Sequence, residues 1–434
     1  LKPGAKTFAN AVKIKNKPNP TKEIIMSKYS RQTPDTASFV GWRAPDNIRW
    51  ALRNFSILPS VMIPRGDRVH PLPKGRSQDV ENFTYEHNGK RVRLGDAMKA
   101  DAVDGYLVVQ NNEIIYESYF DNFRPHDHHL WASMTKSLIS TAYGIAASEH
   151  GIDETASPSK YLPELDASVF AEVSIRDTLN MVTALHYTED YEDMTPGSVH
   201  LEYFRRLGFF ADFELLAINP MQSDTPRGVR DMLPKFTRAK GGVSGVEYEY
   251  QSPNVDVIGW LIERVTGQPL KDYVRDKIWA PLATEHDGVF TTDVAFAPIS
   301  TGGFNSTLRD AARFGLMALG NGKLGEVQIA PADWMADTYA LTPEDLAAGQ
   351  AGINTDPDHP KYIPGFTGYR SFWWNFDTTQ GERLAMGVHG QVIYVNQAKN
   401  LVIATFASPD QTANMLRQSF KQMLAGTRAL AASL

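Results

Sequence analysis

The chain has 434 residues, of which 42% are hydrophobic, and a formal net charge of −6. It is long enough to bury a large core as one intertwined two-region unit. The acidic balance, the lack of a basic cluster and the lack of an apolar run near ~18 residues argue against nucleic acid, anionic lipid or a membrane span as partners. Cysteine is absent, which excludes disulfides, a thiol nucleophile and thiolate metal sites without choosing a compartment. The sequence starts at Leu1 rather than Met. Removal of an upstream leader is compatible with that, so a periplasmic, secreted or cytoplasmic location stays open.

Residues 1–45 are rich in lysine and proline (Lys13, Lys15, Lys17, Pro18, Pro20) and read as an extended arm. Trp50 to Phe55 then form a short helix before a proline-rich loop. Asp104–Gln110 and Glu113–Tyr119 read as two strands joined by the two-residue turn Asn111-Asn112. From Ser137 to Ser148, Leu138, Ile139, Ala142, Ile145 and Ala146 recur at helical spacing, and Gly151 is a stop signal. Residues 151–289 read as mostly helical with long loops, including short amphipathic pieces at Ser174–Leu179 and Leu201–Leu207. Val255–Thr266 is a further amphipathic helix ended by Gly267. Strands return at Arg383–His389, Val392–Val395 and Leu401–Phe406, and residues 410–425 read as a closing helix. Strand pairs at both ends, with a helical block between, predict an α+β protein whose antiparallel sheet is assembled from 46–150 and 290–434.

Chemistry concentrates at two places. Ser133 and Lys136 open the helical run after the hairpin. Three residues apart on a helix, their Cβ atoms lie about 5–6 Å from one another. At a first turn the serine also sits beside unpaired backbone N–H groups and the positive end of the helix dipole. A nucleophile, a base and a donor for developing negative charge can thus share one turn. A second copy of the spacing, Ser157-Pro158-Ser159-Lys160, has proline inside it and no apolar helix behind it, so it reads as a loop. The other place is Glu249-Tyr250-Gln251-Ser252-Pro253-Asn254, directly before a helix. A tyrosine there can face a cleft, and a lysine beside it would favour the phenolate. The competing reading is a buried aromatic beside a capping region.

Ser133-Met134-Thr135-Lys136, then Tyr250-Gln251-Ser252, then a late glycine-containing strand resemble the serine β-lactamase, penicillin-binding protein and carboxylesterase superfamily. Within it, Trp42–Trp50, His129-Leu130, Tyr187–Tyr191, Ile262–Gly267 and Gly387–Gln391 resemble the 6-aminohexanoate-dimer (nylon-oligomer) hydrolase branch. The likeness runs from about 42 to 425. It implies a β-lactamase-like fold, a central antiparallel sheet flanked by helices plus a mostly helical region. It also implies a serine hydrolase of esters or amides that needs no cofactor or metal. Ser133 would form an acyl-enzyme, and Lys136 and Tyr250 would share the proton, the lysine lowering the phenol's pKa.

The backbone N–H groups of Ser133 and Val388 would form the oxyanion hole, with Gly387 at the family's glycine; a register through His389-Gly390-Gln391 is the alternative. The family's Lys-Thr-Gly is missing, with Ala385 where its lysine would stand, which argues against a substrate anchored by a β-lactam carboxylate. Tyr191 would donate to a leaving amide, and Trp373, its neighbour Trp374 and His389 would line the cleft. The acidic residue that holds a substrate amine aligns best with Glu202. Small-molecule esters or amides are the expected partners, with a homodimer left open. The rival readings are a β-lactamase or D-amino-acid peptidase of the same fold, a non-catalytic sensor or scaffold, and a metallohydrolase built on His126-Asp127-His128-His129.

Overall fold

The computed structural model describes Trp42 and residues 45–191, 193, 195–209, 228–352, 362–409 and 417–434. Most of the arm expected over 1–45 lies outside the described residues. The expected Trp50–Phe55 helix is found earlier and longer, as α1 (Pro45–Arg53), followed by a single 3-10 turn.

Seven strands make the central sheet: β1 (Val103–Gln110), β2 (Glu113–Tyr119), β3 (Gly368–Arg370), β4 (Trp373–Asn375), β5 (Arg383–Gly387), β6 (Gln391–Asn396) and β7 (Leu401–Ala407). Their order is β3-β4-β5-β6-β7-β1-β2, and every neighbouring pair is antiparallel. Asn111 and Asn112 both adopt positive φ, +54° and +63°, as the two-residue turn between β1 and β2 requires. Pairing of Ala404 with Leu107 and Val402 with Val109 joins the late meander to the early hairpin, so the two chain ends share one sheet.

Helices cover both faces. α4 (Leu308–Leu319) packs on β1, β6 and β7. Gly315 allows the close approach: a methyl group placed there would lie 2.7 Å from Val402 Cγ1 and 2.8 Å from Ile393 Cγ2. On the opposite face Tyr106 of β1 reaches α5 (Gln418–Ser433), its hydroxyl 3.1 Å from Thr427 Oγ1. Of the closing helix expected over 410–425, residues 410–416 lie outside the described residues; from Gln418 it runs further than expected, to Ser433.

α2 (Thr135–His150) runs through the interior, buried from Thr135 to Ala146, and packs against α3 (Pro253–Thr266). Both end at glycines with positive φ, Gly151 at +63° and Gly267 at +68°. A second, four-stranded sheet places His129–Leu130 beside Phe304–Ser306, Gly288–Thr291 and Ser60–Ile63. It delivers the chain to the start of α2. Among the described residues no helix is long and apolar enough to cross a membrane.

Candidate active site

The residues just before α2 are held in an unusual conformation. Ala132 has φ +46°, a left-handed geometry that costs a residue with a Cβ roughly 1–2 kcal/mol. Surrounding packing supports it: the Trp131 N–H donates to the Phe304 carbonyl at 2.8 Å, and the Trp131 indole donates to Ser306 Oγ at 2.8 Å. The turn sets Ser133 in a single 3-10 turn, Ala132–Met134, directly ahead of α2.

Lys136 follows one turn later with 1% of its surface exposed. Its Nζ lies 2.9 Å from Ser133 Oγ, 2.7 Å from the Thr301 carbonyl oxygen and 2.8 Å from Thr301 Oγ1. Burial pulls its pKa down to about 8, against the opposing pull of Glu189 and Asp256. A neutral amine has two hydrogens and one lone pair. Thr301 offers two acceptors for the hydrogens, which leaves the lone pair for the serine.

Tyr250 comes in from the segment before α3. Its ring lies 5.1 Å from Lys136 Nζ and stacks on Trp374 at 5.3 Å. Its hydroxyl is buried and completes no hydrogen bond among the described residues, yet Ser133 is near enough to favour the phenolate slightly. Burial first, and the Glu189 charge second, push its pKa well above the usual tyrosine value. This corrects the expectation that the lysine makes this tyrosine more acidic. In the resting site Lys136 releases its proton more readily than Tyr250 does.

β5 forms the opposite wall. A methyl group on Gly387 would lie 2.3 Å from the Trp131 carbonyl oxygen and 3.0 Å from the Ser133 nitrogen, so only glycine lets strand and serine turn approach this closely. Val388, the next residue, lines the cavity in front of Ser133. Ala385 is buried within the strand and supplies no cation.

The cavity holds about 580 Å³, including its mouth. Its walls are largely apolar: Trp42 and Phe55 from the α1 region, Leu130, and Phe204 and Phe209. Arg49 and Arg53 hold α1 in place by pairing with buried Asp104, whose other partners are His129 at 3.1 Å and the Ser408 hydroxyl. The polar side is Glu189, Tyr191, Ser252 and Thr301. Glu189 accepts from the Ser252 N–H at 2.8 Å, from Ser252 Oγ at 2.6 Å and from the Tyr191 hydroxyl at 2.6 Å. Tyr191 therefore gives its proton to Glu189 rather than to the cavity, which corrects the expected donor role.

The other candidates separate. His389 lines the cavity beside Trp42. Trp373 does not: it is fully buried, stacked on Phe314 at 6.2 Å, and its neighbour Trp374 is the one that meets Tyr250. Adjacent strand residues face opposite sides of a sheet, so only one of the pair can do so. Glu202 pairs with Arg206 at 2.7 Å, outside the cavity lining. Ser157 precedes a lone 3-10 turn, with Lys160 turned to Asp153 at 3.3 Å. In the His126–His129 run, Asp127 pairs with Arg124 and lies 3.9 Å from His126, His128 bonds the Asp287 carbonyl and His129 meets Asp104; among the described residues no three His, Asp or Glu side chains converge as a metal site would need.

Sequence reading misses Thr301, Trp42 and Phe55 as site residues, and it covers Glu189 only within Tyr187–Tyr191, without a role. Thr301 and Phe55 carry no local motif. Glu189 had one signal, its position two residues before Tyr191.

Comparison with known proteins is consistent with this architecture. The Beta-lactamase family model matches residues 91–425. The chain is 28% identical over 387 residues to the 6-aminohexanoate-dimer hydrolase of Paenarthrobacter ureafaciens, spanning 88% of this chain and 91% of that protein. A Bacillus anthracis structure provisionally assigned as a 6-aminohexanoate-dimer hydrolase superposes with a TM-score of 0.77 at 20% identity, covering 93% of this chain and 99% of the other. The D-amino acid amidase of Ochrobactrum anthropi SV3 gives 0.52 at 17% identity, over 79% and 99% of the two chains. With the family model spanning most of its length and the sheet, helices and serine turn arranged as described, the chain belongs to the beta-lactamase family of hydrolases, with the α+β fold of that family.

Proposed function

We propose that this protein is a serine hydrolase that cleaves small esters or amides through an acyl-enzyme on Ser133. The observation that carries the reading is the 2.9 Å approach of Lys136 Nζ to Ser133 Oγ in a buried site that opens on an apolar cavity. Neutral Lys136 takes the Ser133 proton as Oγ attacks the carbonyl carbon, and the C=O electron pair moves onto oxygen. The N–H groups of Ser133 and Val388 receive that oxyanion, the first from an open helical turn and the second beside Gly387. Tyr250, still a phenol, gives its proton to the leaving nitrogen or oxygen as the C–N or C–O bond breaks, and regains one from Lys136. Water then repeats the sequence in reverse and frees the acid.

The walls suit an uncharged, apolar acyl group. A β-lactam carboxylate would find Glu189 in the cavity and no lysine at Ala385, so penicillins and cephalosporins rank below neutral substrates. Tyr191 presents oxygen lone pairs, which suit the N–H of an amide and have no partner on an ester. Linear amides of the 6-aminohexanoate type are a narrower possibility suggested by the 28% identical relative.

Intact-protein mass after exposure to p-nitrophenyl butyrate, a linear 6-aminohexanoate amide and nitrocefin tests this directly. A butyryl adduct that is lost in Ser133→Ala and retained in Ser157→Ala is expected. An adduct that survives Ser133→Ala, or kcat/KM for nitrocefin above that for the butyrate ester, would overturn the reading.

A further inference from the structure

We propose that Thr301 is a positioning residue for the serine–lysine pair: by accepting one hydrogen of the Lys136 amine, its side-chain hydroxyl decides whether the amine's lone pair faces Ser133. The inference rests on the serine–lysine reading above and adds to it a residue that carries no proton itself.

Thr301 is 4% exposed and stands in a turn pinned on both sides. Before it, the Ile299 N–H donates to the Thr291 carbonyl at 3.0 Å. After it, the Gly303 N–H donates to the Ile299 carbonyl at 2.9 Å, and the Gly303 carbonyl accepts from the Thr291 N–H at 2.9 Å. A methyl group on Gly303 would lie 2.8 Å from the Thr291 carbonyl oxygen, so the turn closes only with glycine. The next residue, Phe304, bonds the start of α2 twice: its carbonyl accepts from the Trp131 N–H at 2.8 Å, and its N–H donates to Thr135 Oγ1 at 3.1 Å. Thr301 and Ser133 are thus set against one another by backbone bonds. The acceptors that Thr301 shows to the lysine are in place before the reaction begins.

Hydrogen counting gives the hydroxyl its role. Lys136 Nζ lies 2.9 Å from Ser133 Oγ, 2.7 Å from the Thr301 carbonyl oxygen and 2.8 Å from Thr301 Oγ1. An ammonium has three hydrogens and fills all three acceptors. The neutral amine has two. With both Thr301 oxygens present it keeps them there, and its lone pair takes the third direction, toward Ser133. With the carbonyl alone, the second hydrogen goes to Ser133 Oγ and the lone pair turns away from the proton it must accept. Every residue type supplies the carbonyl, whereas the hydroxyl needs threonine or serine. The charged and titratable groups facing Lys136 are Tyr250, with its ring 5.1 Å away, Glu189 from the polar side of the cavity and Asp256 from α3. A Thr301 substitution alters none of them.

The test is the rate at which a fluorophosphonate labels Ser133, read by intact mass from pH 6 to 10. Thr301→Val keeps the shape and the carbonyl and removes the hydroxyl. Hydrogen bonds from a charged donor are about twice as strong as neutral ones. The ammonium therefore loses more than the amine, and the midpoint of the rise should fall by about one pH unit. The high-pH plateau should also drop, by about tenfold or more, because the lone pair is no longer aimed. Thr301→Ser returns the hydroxyl and should recover most of both. A role in packing alone would lower the plateau with the midpoint in place, and that result overturns the proposal. So does a midpoint that rises, a valine plateau equal to that of the natural protein, or a serine variant no better than valine. If the valine variant does not fold, Thr301→Ala, which also lacks the hydroxyl, is read by the same criteria. Failure of the underlying reading looks different: the natural protein would then take up no label at Ser133 at any pH.

Discussion

Replacing Gly387 by alanine should separate the geometry of the oxyanion pocket from the stability of the sheet. The new methyl would sit 2.3 Å from the Trp131 carbonyl oxygen and 3.0 Å from the Ser133 nitrogen. Both are backbone atoms and cannot rotate away, so β5 and the serine turn must part by about 1 Å to restore contact distance. Misplacement on that scale costs roughly a hundredfold in rate. Loss of an oxyanion donor costs about 2.7–4 kcal/mol, a hundred- to a thousandfold in kcat. Gly315→Ala is the control, because its methyl meets Val402 and Ile393 side chains at 2.7 and 2.8 Å in the sheet–α4 layer. Each substitution should cost about 1–3 kcal/mol of stability through overpacking. Only Gly387→Ala should lower kcat for p-nitrophenyl butyrate, measured beside thermal unfolding of both variants. A folded Gly387→Ala protein with kcat within threefold of normal would show that β5 does not wall the oxyanion site.

Three shorter tests address other parts of the site. Lys136→Ala and Tyr250→Phe should each lower kcat/KM by several orders of magnitude, and the double variant should be little worse than either; strictly additive losses would argue against a shared proton path. Tyr191→Phe should reduce amide turnover more than ester turnover, by about 1 kcal/mol, the net worth of one hydrogen bond; an equal loss on both substrates would remove the acceptor role. Trp42→Ala should raise KM for p-nitrophenyl hexanoate more than for the acetate, and equal changes would place Trp42 outside the acyl path.

Much of the scaffold was legible because its signals are local. Asn111-Asn112 encodes its turn by tolerance of positive φ, and Gly151 and Gly267 end α2 and α3 where the periodicity stops. β3 and β4 were not legible as strands. Three residues each and buried throughout, they have no room to display an alternating pattern. The serine and lysine share one helical turn, so their proximity follows from spacing alone. Thr301 lies 165 residues beyond Lys136, and Trp42 meets Phe55 and His389 at the cavity across long stretches of sequence. Such contacts are products of tertiary packing. The direction of the Tyr250 shift differs from the expectation for the same reason: burial and Glu189 raise it, and neither influence is visible in a string of letters.

The pH dependence of acylation discriminates between the two groups able to take the Ser133 proton. Lys136 titrates near 8, lowered by burial. Its neutral fraction is then roughly 9% at pH 7, against about 0.03% for an unperturbed lysine. Below pH 8 the amine is mostly protonated and cannot accept, so the single-turnover rate should rise close to tenfold per unit up to that point. Above it the lone pair is already free and the rate should level off. Tyr250 lies well above 10, raised by burial and by Glu189, so a phenolate base would give a rise that continues past pH 10. Glu189 raises the pKa of both groups, and Glu189→Gln should therefore move the midpoint lower whichever group is the base. The position of the midpoint in the natural protein is the discriminating quantity. A rate still climbing at pH 10, or one flat from pH 6.5 to 9, would remove Lys136 from the role of resting base.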